Sequence, residues 1–102
     1  MERLKPTVNA EGIPTGQHLF FCPGCKGVHG VKDTIWDITG TPERPTVRAS
    51  VLVHAWEGTD THPGQPRCHS FITDGRIEFL SDSTHELAGQ TVDLPPFDDW
   101  FK

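Results

Sequence analysis

The chain has no apolar run long enough to cross a membrane. Its longest, "HLFF" and "SVLV", fall far short of the roughly 18 residues that a span requires. The first residues, "MERLKPTVNAEG", hold no apolar stretch of the kind that directs export, so secretion by that route is not expected. Basic residues are few and scattered: nine Lys and Arg against fourteen Asp and Glu leave a net charge of −5. This balance argues against nucleic acid as a partner, which calls for clustered positive charge. Apolar residues are scarce as well, at 34% of 102 positions, and nine prolines and ten glycines break them up. A chain of this length makes one domain, near the lower limit of what buries an adequate core unaided. Apolar burial stabilises by about 25 cal/mol per Å², while each ordered residue costs roughly 1.5 kcal/mol; a metal staple would therefore matter. Cysteines number only three, which cannot pair off evenly, so a disulfide scaffold is the weaker reading and a reducing compartment the expected one. Gly-x-Ser-x-Gly, a phosphate-binding loop and HExxH are all missing, as is a deaminase signature of His-x-Glu followed by Pro-Cys-x-x-Cys.

What is present reads mostly as strand. Residues 1–16 are polar and broken by Pro6 and Pro14, which predicts an extended arm. Residues 18–22 enter a Cys-Pro-Gly-Cys turn, and 27–38 supply one or two further strands. "GTPERP" is a loop by its Gly and Pro content, "TVRASVLVHAW" has the β-branched enrichment of a strand, and 57–66 form a second, polar loop. In "RCHSFITDGRIEFL" the pair Asp74-Gly75 predicts a type I′ hairpin turn. That turn pairs Ser70 with Phe79, Ile72 with Ile77 and Thr73 with Arg76, and places Cys68, Ser70 and Ile72 on one face with Ile77 and Phe79. Ser83 and Glu86 have capping-box spacing and Gly89 follows as a stop, which predicts one short helix. "TVDL" can return as a strand. The tail 96–102 sets Phe97, Trp100 and Phe101 beside Asp98 and Asp99; it either caps the core or docks a partner. The expected fold is mainly β, a small α+β antiparallel single domain spanning 1–102, with one short helix and a zinc-ribbon-like metal clip.

The clip rests on Cys22 and Cys25, whose spacing lets two thiolates converge on one ion at the end of a tight loop, with Gly24 supplying backbone freedom. A redox pair would sit at the start of a sizeable helix, and "KGVHGVKDT" has no helical period. Cys68 is the remaining soft ligand. Three histidines compete for the fourth position. His29 completes Cys-x2-Cys-x3-His by local spacing. His69 follows Cys68, but neighbours on a regular strand point to opposite faces, so both bind one ion only if the strand begins irregularly, as "HPGQPR" permits. His85 lies in the first turn of the expected helix. His18, His54 and His62 read as ordinary surface or half-buried histidines.

Together "FFCPGCKGVHG", "PTVRASVLV" and "CHSFITDGRIEFLSDSTHELAGQTVDLP" resemble a family of small phage and prophage proteins of unassigned function, over roughly residues 18–95. Some members carry an ammonia monooxygenase label, which the absence of membrane segments and of an evident oxygen-activating centre gives no reason to keep. The resemblance implies a metal site of Cys22, Cys25, Cys68 and His69, placing His69 ahead of His29 and His85. It departs at "TVRAS", where relatives have Ser-Pro-Ser and this chain has Arg48 and Ala49. The function it implies is that of a phage-type zinc-binding accessory protein in the cytoplasm of a bacterial host. Its Zn²⁺ would be structural, and it would act by binding a host or phage protein, as in counter-defence, through the tail or the 56–66 loop. The second reading is a small zinc-dependent hydrolase with Glu86, beside His85, as general base, or Asp82 in that role. Two or three thiolates make zinc-bound water a poorer acid, which weighs against it.

Overall fold

Local pairing rules account for most of the architecture. The strands are β1 (Lys5–Val8), β2 (Pro14–Cys22), β3 (Gly27–Lys32), β4 (Asp37–Gly40), β5 (Pro45–Val53), β6 (Trp56–Gly58), β7 (Pro63–Gln65), β8 (Cys68–Thr73), β9 (Arg76–Phe79) and β10 (Thr91–Asp93). This computed structural model describes all residues except Met1, His54, Thr59, His62 and 99–102, and only the backbone of Trp56, Pro63 and Gln65. The expectations placed on His54, His62, Trp100 and Phe101 thus lie outside the described residues. One sheet has the order β1-β2-β3, a second the order β10-β9-β8-β5-β4, and β6-β7 form a separate ribbon. Every pairing is antiparallel, as short connections between consecutive strands require.

The hairpin β8-β9 has the predicted register, with Ser70 opposite Phe79, Ile72 opposite Ile77 and Thr73 opposite Arg76. Asp74 and Gly75 both have positive φ, 49° and 78°, which is the type I′ geometry that matches strand twist. Cys68, Ser70, Ile72, Ile77 and Phe79 are all buried. The inward faces of both large sheets share one core, in which Leu4, Phe20, Cys22 and Val31 meet Val47, Val51, Cys68, Ile72, Ile77, Phe79 and Leu94.

Three expectations are corrected. Residues 1–16 are not a loose arm. Leu4 is buried, its N–H donates to the Pro42 carbonyl, and β1 pairs with β2. The 57–66 segment is not wholly loop, because it contains parts of the β6-β7 ribbon. Residues 83–89 make successive turns and no helix, with Ala88 N–H donating to His85 C=O and Gln90 N–H to Leu87 C=O. The physical reason lies in Ser83. Its hydroxyl oxygen accepts from the His69 N–H at 3.0 Å and its O–H donates to the His69 carbonyl at 3.1 Å, so it is spent on β8 and does not cap a helix. At the C-terminal end Phe97 is buried and its N–H donates to the Glu2 carbonyl. This aromatic of the tail caps the core. Among the described residues no helix is long and apolar enough to cross a membrane.

Strand β5 carries an irregularity. It pairs with β4 from Pro45 to Arg48 and with β8 at Val47 and again from Val51 to Val53. Between Val47 and Val51 its register with β8 shifts: four steps along β5 match two along β8, from Ile72 to Ser70. The bulge Arg48-Ala49-Ser50, whose Arg48–Ala49 peptide is cis, is pinned from both sides. Arg48 donates to the Val47 and Ile72 carbonyls and to Thr73 Oγ1, and the Trp36 indole N–H donates to the Ser50 carbonyl at 3.1 Å. Bulges re-aim side chains, and here the re-aimed side chain is Ser50.

Candidate functional site

Strand alternation brings together a first group of residues. On β2, Phe20 and Cys22 point inward; on β3, His29 lies opposite Phe20 and shares its face with Val31. The Cys22–Cys25 turn closes through Lys26 N–H to Cys22 C=O at 2.8 Å, and the Cys25 N–H donates to Cys22 Sγ at 3.4 Å. Positive φ falls on Lys26, at 57°. Gly24 serves a different purpose from the expected backbone freedom: a methyl added there would lie 2.4 Å from His85 Cε1, so glycine is what lets that ring close over the turn.

Cys68, first residue of β8, completes the group. The sulfurs of Cys22, Cys25 and Cys68 and an imidazole nitrogen of His29 all lie within 4.8 Å of one another, close enough to hold a metal ion. Two sulfurs at about 2.3 Å from one tetrahedral ion would be ~3.8 Å apart, and Cys22 Sγ and Cys68 Sγ are separated by 3.8 Å. His29 Nε2 is buried without a hydrogen-bond partner, an arrangement that is costly for an imidazole with no ligand to bind. The thiol chemistry agrees. A hydrogen bond from Cys68 draws the Cys22 thiol down to about 4, while burial first, and the charge of Cys22 second, pushes Cys25 up to about 12. Cys68 is pushed up chiefly by its hydrogen bond to Cys22. Three thiolates crowded together repel unless a cation replaces their protons.

His69 does not join this group. β8 is regular from Cys68 onward, so His69 faces away from the metal cluster. His29 stands where the resemblance had placed His69. His85 is also outside the cluster: its Nδ1 accepts from the Leu87 N–H at 3.2 Å and its ring meets Phe79 edge-on. Glu86 is exposed and pairs with Lys26 at 3.9 Å. His18, half-buried against Asp33 at 3.4 Å, is ordinary. Metal content measured by elemental analysis should therefore fall sharply in His29→Ala and stay at the wild-type level in His69→Ala; the opposite pattern would return His69 to the metal.

The outward face of β8 holds a second group. His69 Nδ1 lies 3.1 and 3.2 Å from the two Asp82 carboxylate oxygens, and His69 Nε2 lies 3.0 Å from Ser50 Oγ. An ionised carboxylate only accepts, so Nδ1–H donates to Asp82 and neutral Nε2 accepts from the serine hydroxyl. The three residues form a serine–histidine–aspartate relay. Hydrogen bonding from His69, with Arg67 adding a second contact at 3.1 Å, holds the Asp82 carboxyl below its ordinary value and keeps it charged. The segment carrying Asp82 is clamped onto β8 through Ser83 and through Thr84, whose N–H donates to the Arg67 carbonyl and whose hydroxyl accepts from the Arg67 N–H. His69 and Asp82 side chains retain 24% and 44% exposure, so the three residues are reached by solvent.

Sequence reasoning had assigned His69 to metal, weighed Asp82 only as a base for zinc-bound water, and passed over Ser50. The available signal was the polar "RAS" between apolar Val47 and Val51. Comparison with known proteins bears on this second group. No curated protein matches the chain, and no solved structure matches it. A family described as the bacterial ubiquitination-like system serine protease, BubE, matches over residues 2–80, a span that includes Ser50 and His69 and stops two residues before Asp82. The chain belongs to the BubE family.

Proposed function

We propose that this chain is a serine protease whose nucleophile is Ser50, with His69 as general base and Asp82 as its orienting carboxylate. The observation that carries the reading is the continuous pair of hydrogen bonds Ser50–His69–Asp82 on an exposed face, in a chain whose family description names a serine protease. In the reaction His69 Nε2 takes the Ser50 hydroxyl proton as Oγ bonds to the substrate carbonyl carbon. The imidazolium that results is stabilised by Asp82 and returns the proton to the departing group. Water, deprotonated in turn by His69, then splits the acyl ester and regenerates Ser50. The family's description further supports a protein substrate drawn from a ubiquitination-like system, so the partner sought by the sequence reading becomes the substrate. The metal is Zn²⁺ and structural: three thiolates and one imidazole fill a tetrahedral shell, and the relay lies on the opposite face of β8.

A fluorophosphonate reagent tests the nucleophile directly. It is expected to modify one residue, Ser50, located by peptide mass spectrometry, and to leave Ser50→Ala unmodified while that variant keeps its melting transition and metal. A metal-replete, folded protein that resists the reagent at Ser50 would overturn the assignment.

A further inference from the structure

β5 is covered unequally along its two edges. On one side it pairs with β8 as far as Val53; on the other, β4 pairs only from Pro45 to Arg48. Trp36 then turns inward and its indole takes the Ser50 carbonyl. Among the described residues no strand pairs with that edge beyond this point. The register says which backbone groups it presents. The His69 N–H and C=O are engaged on the β9 side, with Ser83 Oγ and with the Leu80 N–H. In an antiparallel ladder, hydrogen-bonded and non-hydrogen-bonded pairs alternate. Leu52, directly opposite His69, therefore aims its own N–H and C=O away from β8, at the open edge. Leu52 stands two residues beyond the nucleophile, and its side chain shares the outer face with Ser50 and His69 and is 38% exposed.

We infer that the substrate enters as an extended polypeptide strand, antiparallel to β5, and that Leu52 is the residue that receives it. This rests on Ser50 being the nucleophile and deepens that reading. Antiparallel entry fixes polarity: chain lying beside Leu52 precedes chain lying beside Ser50, so Leu52 holds the acyl side of the scissile bond. Strands advance about 3.3 Å per residue. The substrate residue paired with Leu52 is thus two places before the one whose carbonyl is attacked, donating its N–H to the Leu52 carbonyl and accepting from the Leu52 N–H. Recognition at that position is by main chain. It selects a segment that can lie fully extended, such as a chain terminus or linker, over a folded loop, and it excludes proline there, which lacks the N–H.

Peptidyl phosphonates of increasing length separate this inference from the reading beneath it. A small alkyl fluorophosphonate reports the relay alone. The rate of Ser50 modification is expected to rise roughly tenfold or more when a peptidyl phosphonate grows from two residues to three, as two hydrogen bonds are added. N-methylation of that third residue should abolish the gain, and N-methylation of the second should not. On the enzyme side, Leu52→Pro, with its metal content and melting transition measured as the check on its fold, should lose the length dependence. Length-independent rates, or a gain indifferent to N-methylation, would overturn the edge-strand inference with Ser50 intact. Failure of the small reagent to label Ser50 would overturn the nucleophile and the inference together.

Discussion

An Asp82→Asn variant is expected to keep its fold and its metal yet lose on the order of 10⁴-fold in the rate of acylation at Ser50. Asparagine fits the same space, but its amide nitrogen donates where the carboxylate accepts. Donation to His69 Nδ1 drives the ring into the tautomer whose hydrogen sits on Nε2. That hydrogen faces Ser50 Oγ, 3.0 Å away, and a protonated Nε2 cannot receive the serine proton. Loss of the negative charge also removes what stabilises the imidazolium. Asp82 is exposed and its ion pair with Arg67 is a surface contact, so the fold should scarcely register the change. The check is the second-order rate of fluorophosphonate labelling alongside metal content and melting temperature. A variant labelled at the wild-type rate would show that His69 needs no carboxylate, and would leave Asp82 as a surface partner of Arg67.

Removing the metal should end both activity and cooperative folding in one step. The cluster draws Cys22, Cys25 and His29 from the β2-β3 hairpin and Cys68 from β8, so it fastens one sheet to the other. Structural zinc in small domains contributes about 10–16 kcal/mol of apparent binding free energy, against about 5–15 kcal/mol for the whole stability of a typical domain. Two of the eleven buried core residues are themselves cysteines of the cluster, so the cluster and the core share side chains. Strong chelation, or Cys68→Ser, is expected to abolish the thermal transition and Ser50 labelling together, because Cys68 anchors the strand that carries His69. A metal-free chain with unchanged melting and labelling would mean that the apolar core holds β8 alone.

The parts of this structure legible in the sequence are those set by neighbours along the chain. The Asp74-Gly75 hairpin was readable because a two-residue turn dictates register and register dictates burial. That Cys22, Cys25 and Cys68 come together in one group able to hold a metal was readable because they are the chain's only thiols. His29 and His69 divide the case instructively. Strand alternation alone points His69 away from Cys68, and the structure agrees; the expectation that set His69 ahead of His29 came from the resemblance and not from the strand. The relay was illegible for a physical reason. Its members come from a bulge in β5, the second residue of β8 and a turn after β9, and no fixed spacing joins them. The bulge depends on tertiary contacts from Trp36 and Arg48, which no local pattern announces. The expected helix failed in the same way, since the Ser83 hydroxyl is engaged by His69 across the chain instead of by the N–H three residues along.

The adjacency of Cys68 and His69 has a consequence for how the chain finds its native pairing. A strand can err by one residue, and in most sheets such an error is penalised only by misplaced apolar side chains. Here a one-residue slip of β8 would carry the Cys68 thiol out of the cluster and the His69 ring away from Ser50, disturbing both groups at once. The cysteine–histidine cluster and the Ser50–His69 hydrogen bond thus both depend on a single alignment, one from each side of the strand. A misaligned molecule would lose both arrangements together, so neither group forms without the register that forms the other.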